Sequence, residues 1–224
     1  MTWSLLVALG AVVALDATAL GQLMLSRPLV AGSLAGGIVG MPLEGALIGA
    51  LMEVLSLGIL PVGAARYPET GTAAVAAVGT LGLANAVALP GAVLLVLVYG
   101  LAWQRLFGVT VVAGRYLNER LVHAGEIEHA RRLDRMVERR HVASILLDLV
   151  RGAAVTAAAL AAGVPLLRLA LSHWQASHIP AAVAISVAAA AALAGTGRLF
   201  GESKRMVLLM LTGILCGSLL LVLR

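Results

Sequence analysis

The sequence contains little charge and only one cysteine. Asp, Glu, Lys and Arg make up 12% of its 224 residues, whereas 61% are hydrophobic, and the mean hydropathy is +1.00. Soluble domains carry about 25% charged residues, so this composition excludes an ordinary soluble protein. Cys216 lies in the apolar run "LTGILCGSLL" and has no second cysteine with which to form a disulfide. We therefore expect an integral membrane protein without redox chemistry.

Several chemical signatures are also missing from the sequence. It has no phosphate-binding glycine loop, nucleophile elbow or basic-aromatic patch, and its histidines lack the spacing of metal ligands. We expect no catalytic residue, no metal, no cofactor and no nucleic-acid partner. The net charge of +5 comes from arginines beside apolar segments, which membrane topology explains better than a nucleic acid does. The start "MTWSLLVALG" lacks the basic region of a signal peptide, so the first apolar segment is expected to remain in the mature protein.

Apolar runs recur along the chain at membrane-spanning length. A helix needs about 20 residues to cross about 30 Å of hydrocarbon. The candidate spans are residues 3–25, 42–60, 70–89, 91–107, 142–170, 180–197 and 206–223. We predict an all-α fold, a polytopic membrane helix bundle in which the C-terminal spans alternate across the bilayer.

One short segment does not fit a full crossing. Residues 29–40 would reach only about 18 Å as a helix, and the following "GMP" ends at Pro42, which breaks helical hydrogen bonding. We interpret this segment and the next span as a re-entrant hairpin, buried in protein or lining a polar cavity. Glycines recur every four residues through the hairpin, which predicts close packing of helix backbones; they are Gly32, Gly36 and Gly40, then Gly45 and Gly49.

The middle of the chain carries most of the charge. Residues 115–151 contain eight arginines and six acids. A narrow apolar stripe with helical spacing runs through them: Leu117, Leu121, Ala124, Ile127, Ala130, Leu133 and Val137. The pattern predicts an amphipathic helix outside the hydrocarbon, and its arginines place it in the cytoplasm. We therefore divide the chain into an N-terminal membrane region (1–111), a central cytoplasmic amphipathic helix (112–141) and C-terminal membrane helices (142–224).

Acidic residues also lie inside the predicted spans. Asp16 and Glu53 are near the middle of apolar segments, where a charge costs at least about 2.5 kcal/mol. Glu53 either binds the hydroxyls of a polar ligand or forms a structural contact, for example an ion pair with Arg27 or Arg66, and the sequence leaves both open. The loop "PVGAARYPETG" carries Arg66 and Glu69. It is either a wall of a polar site or an interfacial turn with Arg66 at headgroup level.

An ordered set of motifs occurs between residues 21 and 71. Gln22 is followed by "SRPLVAG", a G-x-x-x-G pattern, the acidic Glu53, "LG", "GAA" and the pair Pro68 and Glu69. This segment resembles the membrane IIC subunit of the mannose/sorbose family of the bacterial phosphotransferase system. The resemblance implies a multi-pass sugar permease subunit in the bacterial cytoplasmic (inner) membrane, with a mobile transport domain moving against a scaffold. Such a subunit would have no phosphoryl-transfer chemistry of its own.

The resemblance also implies partners and a site. The subunit would form a hetero-oligomer with a IID membrane subunit among membrane lipid, and hand sugar to the soluble IIA/IIB proteins, where IIB phosphorylates it. By the resemblance Gln22 and Glu53 would contact sugar, and Glu69 stands where the family has an aspartate; with Arg66 they form the predicted substrate-binding set. Pro61 replaces an asparagine of the family. The alternatives are a regulatory or scaffold protein on the same fold and a transporter that works without phosphorylation.

Overall fold

The computed structural model describes residues 1–19, 22–57, 68–86, 90–123 and 130–173, with the single positions 186, 190 and 212; side chains are described except at residue 90 and residues 121–136. The described chain forms six helices: α1 (Thr2–Thr18), α2 (Pro28–Val39), α3 (Pro42–Ser56), α4 (Thr70–Leu83), α5 (Pro90–His123) and α6 (Ala130–His173). The predicted all-α class is confirmed. The predicted spans 180–197 and 206–223 lie almost wholly outside the described residues.

Helix α4 is the centre of the bundle. It contacts all five other helices of the described chain, and every residue from position 71 to position 81 is buried. Its sequence, "TGTAAVAAVGTLGL", consists of small and apolar residues on all sides. A helix that is apolar all round is stable only when it is surrounded, and small side chains let its neighbours approach closely. The composition of α4 therefore explains its place in the core.

Helices α2 and α3 form a tight antiparallel hairpin. Gly40 ends α2 with a φ of 79°, a left-handed conformation that favours glycine, and Pro42 begins α3. A Cβ atom placed on Gly45 would lie 2.7 Å from the Cα of Gly36, so only glycine permits this approach. The predicted break is confirmed, and the predicted glycine packing is confirmed at Gly32, Gly36, Gly45 and Gly49. Gly40 has nothing within 4 Å of an added Cβ and ends the helix instead. At 12 and 15 residues, the two helices reach about 18 and 22 Å, less than the thickness of a hydrocarbon core.

Two helices end earlier than their apolar sequences predict. Helix α1 ends at Thr18 rather than at residue 25, because the Asp16 carboxylate accepts hydrogen bonds from the backbone N–H groups of Leu23 and Ser26. A side chain that binds nearby backbone N–H groups competes with helix continuation. Helix α4 ends at Leu83 rather than at residue 89, and Asn85 then adopts a φ of 54°.

The last two described helices are much longer than the others. Within the described chain, the segments Gly91–Arg120 and Val137–His173 are the two helices long and apolar enough to cross a membrane. The segment 112–141, predicted as a separate amphipathic helix, is divided between them: α5 continues to His123 and α6 starts at Ala130. Leu, Arg, Glu and Ala are good helix formers, so these helices need not end where the charged sequence begins.

Candidate functional site

Polar side chains from several helices form three hydrogen-bonded groups near the C-terminal end of α1. Asp16 holds the loop after α1, and Glu53 joins the end of α3 to Arg27 at the start of α2. The largest group joins the ends of α1 and α3, the start of α4, and the middles of α5 and α6. We call this set the polar layer. Its members are Asp16, Thr18, Arg27, Glu53, Ser56, Glu69, Gln104, Thr110, Asp148 and Arg151.

Glu53 lies at the outer part of the polar layer. Its Oε1 atom is 3.1 Å from Nη1 of Arg27, and its Oε2 accepts the backbone N–H of Leu29 at 3.0 Å. The Glu53 side chain is 23% exposed and that of Arg27 is 52% exposed. The ion pair that the sequence left open therefore forms with Arg27 in this conformation. Because neither side chain is buried, this ion pair is less constrained than a buried one and can open more easily.

Gln22 lies on the loop that leads from α1 to Arg27. It is exposed and has a φ of 47°. Asp16, only 4% exposed, holds this loop through the N–H groups of Leu23 and Ser26, at 2.5 and 2.9 Å. Among the described residues, no hydrogen bond joins Gln22 to Glu53. The loop places Gln22 five residues before the arginine that binds Glu53.

Glu69 lies deep inside the bundle, just before α4. It is 2% exposed, and Arg151 on α6 binds both carboxylate oxygens, with Nη1 at 2.9 Å and Nη2 at 3.2 Å. The Nε of Arg151 donates to Asp148 at 3.0 Å, and Asp148 accepts the hydroxyl of Thr18 at 2.7 Å. Two-pronged binding of a carboxylate by arginine is a strong and geometrically specific contact. Glu69 is thus held at both oxygens by one buried guanidinium, whereas Glu53 is held by an exposed arginine and one backbone N–H group. Arg66, the fourth predicted site residue, lies outside the described residues.

Gln104 connects Glu69 to the end of α3. Its backbone carbonyl accepts the N–H of Glu69 at 3.0 Å, and its side-chain oxygen accepts the hydroxyl of Ser56 at 3.3 Å. Ser56 lies on the last turn of α3, three residues after Glu53. Gln104 is only 3% exposed, and a buried amide of this kind is held by its hydrogen bonds. It therefore fixes the start of α4 against the end of α3.

A cavity of about 230 Å³ borders the polar layer between α1, α5 and α6. Its lining includes Thr18, Arg115, Asn118, His141 and Asp148. The side-chain oxygen of Asn118 is buried without a hydrogen-bond partner. Buried polar atoms usually have partners, so water would be favourable there.

A comparison with known protein families shows which family the chain belongs to. Residues 1–167 match the EII-Sor family, described as the sorbose-specific IIC component of the PTS, the phosphotransferase system. The chain belongs to this family. IIC components are membrane-bound transport subunits, which agrees with the apolar composition and with the two long apolar helices.

A curated relative supports the same assignment over a shorter stretch. The sorbose-specific EIIC component of the PTS from Lacticaseibacillus casei is 35% identical over 71 residues. That stretch covers 32% of this chain and 23% of the relative. The family match extends over the first five described helices and most of α6, so the polar layer lies wholly within the part of the IIC chain that the family shares.

Sequence reasoning missed several members of the polar layer, among them Asp148, Arg151 and Gln104. Asp148 and Arg151 were grouped with the cytoplasmic charges, although both also fall inside the apolar run 142–170. Two opposite charges three residues apart within a predicted span are the signal that could have identified them. Gln104 could not be found in this way, because a single glutamine in an apolar helix has no distinctive spacing.

Proposed function

We propose that the chain is the sugar-permease (IIC) subunit of a mannose/sorbose-type phosphotransferase system. It carries a sugar across the bacterial inner membrane, and the soluble IIB protein phosphorylates the sugar on arrival. The subunit supplies binding and passage only, and phosphoryl transfer is carried out by the partner. Family membership supports the transport role, and the relative's name supports sorbose as the first sugar to test.

The observation that carries this proposal is the state of Glu53. It lies near the C-terminal end of α3, is partly exposed, and is bound by an exposed arginine and one N–H group. A carboxylate accepts hydrogen bonds from several hydroxyl groups at once. A sugar can replace the Arg27 contact and satisfy Glu53 in its place, and Gln22, on the loop that leads to Arg27, is the second proposed sugar contact.

Glu69, Arg66 and Pro61 have different roles in this proposal. Glu69 reaches a sugar only if its two bonds to Arg151 open, so we assign it a structural part in the conformation described. Arg66 remains a candidate on the grounds of its sequence position. Pro61 cannot donate or accept through its side chain, so the sugar must be held without the amide that the family has there.

We further propose a IID membrane subunit and the soluble IIA/IIB proteins as partners. Several large apolar side chains on α5 and α6 are exposed, among them Val98, Leu106, Val109, Val142, Leu146 and Val150. Exposed apolar surface on membrane helices must face lipid or another membrane subunit. The charged ends of α5 and α6 carry both signs, which suits a protein partner better than anionic lipid alone.

The experiment is sugar uptake in cells that lack their own permeases and express the chain with its IID, IIA and IIB partners. We expect phosphorylated sorbose or a related hexose to accumulate, and Glu53→Gln to abolish accumulation while the protein still inserts. Glu44→Gln, on the same helix, is the matched control and should retain uptake. Absence of uptake for every hexose and hexitol tested would reject the permease role.

A regulatory protein that keeps this fold is the second candidate. Pro61, where the family has a sugar-binding amide, is the observation that favours it, because loss of such a hydrogen bond weakens sugar binding. Co-purification with soluble phosphotransferase proteins, together with absence of uptake, would support this alternative.

A further inference from the structure

Arg151 is the most heavily bonded side chain of the polar layer. Its guanidinium donates to both oxygens of Glu69, to Asp148 and to the hydroxyl of Thr110. Its side chain is 9% exposed, and the hydroxyl of Thr110 is itself fixed by donating to the carbonyl of Phe107. Its three partners are Thr110 on α5, Asp148 one turn away on α6, and Glu69 just before α4. The guanidinium is therefore held in one orientation. All three guanidinium nitrogens of Arg151 donate hydrogen bonds.

Hydrogen bonds connect Glu69 to the end of α3 by way of Gln104. Arg151 holds the Glu69 carboxylate, the Glu69 N–H holds the carbonyl of Gln104, and the Gln104 side chain holds Ser56. Ser56 is one helical turn beyond Glu53. Ser56 and Glu69 are therefore both bonded to Gln104, and Arg151 fixes Glu69.

We propose that Arg151 is a positioning residue for the sugar site: it fixes the start of α4 against the end of α3, and so sets the place of Glu53 without touching the sugar. The inference rests on the proposed function, because it concerns the same carboxylate. It assigns Asp148 and Thr110 the part of orienting the guanidinium. Glu69 then acts through its position rather than as a sugar contact.

The competing explanation is that the Arg151 pair only stabilises the fold. Removing one partner of a buried ion pair leaves an unpaired charge and is strongly destabilising, whereas removing both charges together is often tolerated. A double neutral variant therefore separates the two explanations. If the pair is only structural, restoring stability should restore transport.

The test compares Arg151→Lys and the double variant Glu69→Gln/Arg151→Gln with wild type, each expressed with the IID partner. Lysine keeps the charge but loses the two-pronged geometry. We expect both variants to assemble. We expect each to raise the sorbose concentration for half-maximal uptake about tenfold, because a displaced Glu53 would lose one charge-assisted hydrogen bond to the sugar. Arg168→Gln, an exposed arginine on α6 that donates to the Leu83 carbonyl, is the control and should behave as wild type.

A second arm needs no sugar. In a Cys216→Ser background, cysteines at Ser56 and Gln104 should be cross-linked by a short bifunctional thiol reagent, because the Ser56 hydroxyl lies 3.3 Å from the end of the longer Gln104 side chain. We expect cross-linking to slow severalfold when Glu69→Gln/Arg151→Gln is added. Slower cross-linking supports the positioning role even if wild type transports no sugar, which would reject the proposed function alone.

The proposal is overturned if the double variant recovers wild-type thermal stability, half-maximal sugar concentration and cross-linking rate together. Should the double variant fail to assemble, Arg151→Lys decides the question. An Arg151→Lys protein with unchanged uptake and cross-linking would show that the forked geometry positions nothing.

Discussion

Gly45→Ala is the substitution whose effect follows most directly from the hairpin geometry. A Cβ atom at this position would lie 2.4 Å from the carbonyl oxygen of Gly32 and 2.7 Å from the Cα of Gly36. Both neighbours are backbone atoms and cannot rotate away. Ordinary contact begins at 3.4 Å, so α2 and α3 must separate by about 1 Å, the difference between 3.4 and 2.4 Å. We expect this separation to disturb the hairpin that carries Glu53.

The expected energy combines two opposing effects. Overpacking of this kind costs about 1–3 kcal/mol, and replacing a helical glycine by alanine returns about 1 kcal/mol, so the net loss is up to about 2 kcal/mol. Gly37→Ala on α2 is the matched control, since Gly37 is exposed and nothing lies within 4 Å of the added carbon. It should be stabilising by about 0.5–1 kcal/mol.

The assay is thermal unfolding of the purified chain in detergent, measured for wild type and both variants. Gly45→Ala should unfold at a lower temperature than wild type, and Gly37→Ala at an equal or higher one. If Gly45→Ala is as stable as Gly37→Ala, the close approach of α2 and α3 is incorrect.

Three other predictions concern the loop, the orientation and the partner. Asp16→Ala removes the acceptor of two loop N–H groups and should lower stability by about 2 kcal/mol or more, seen as a lower unfolding temperature; an unchanged temperature would show that Asp16 does not hold the loop. Arg139→Cys, in a Cys216→Ser background, should react with an impermeant thiol reagent only after cells are permeabilised, because arginine-rich segments remain cytoplasmic; labelling of intact cells would reverse the orientation. Replacing exposed Leu117 and Val137 with serine should reduce co-purification of a partner subunit without preventing insertion, and full recovery of every partner would assign these residues to lipid.

The hairpin shows how much of this fold is encoded locally. Pro42 can start a helix but cannot continue one, and glycines at a spacing of four lie on one helix face. Both features depend only on residues close together in the sequence. The break at Gly40 and the close packing of Gly36 on Gly45 were therefore predictable and are confirmed.

Neither the C-terminal end of α1 nor the pairing of Glu69 with Arg151 could be predicted from residues close together in the sequence. Helix α1 stops because Asp16 binds N–H groups of a loop that returns to it, and hydropathy alone does not report that return. Arg151 is 82 positions from Glu69, so their pairing depends on how α6 packs against α4. The candidate site was thus predicted as a set of charged residues, but their pairing needed the structure.

The most direct measurement of the central claim is equilibrium binding of radiolabelled sorbose to the purified chain with its IID partner. The account predicts saturable binding by wild type and by Glu44→Gln, and no measurable binding by Glu53→Gln at equal amounts of folded protein. Other hexoses tested in parallel establish which sugar binds most tightly. Equal binding by Glu53→Gln and Glu44→Gln would contradict the assignment of Glu53 as the residue that holds the sugar.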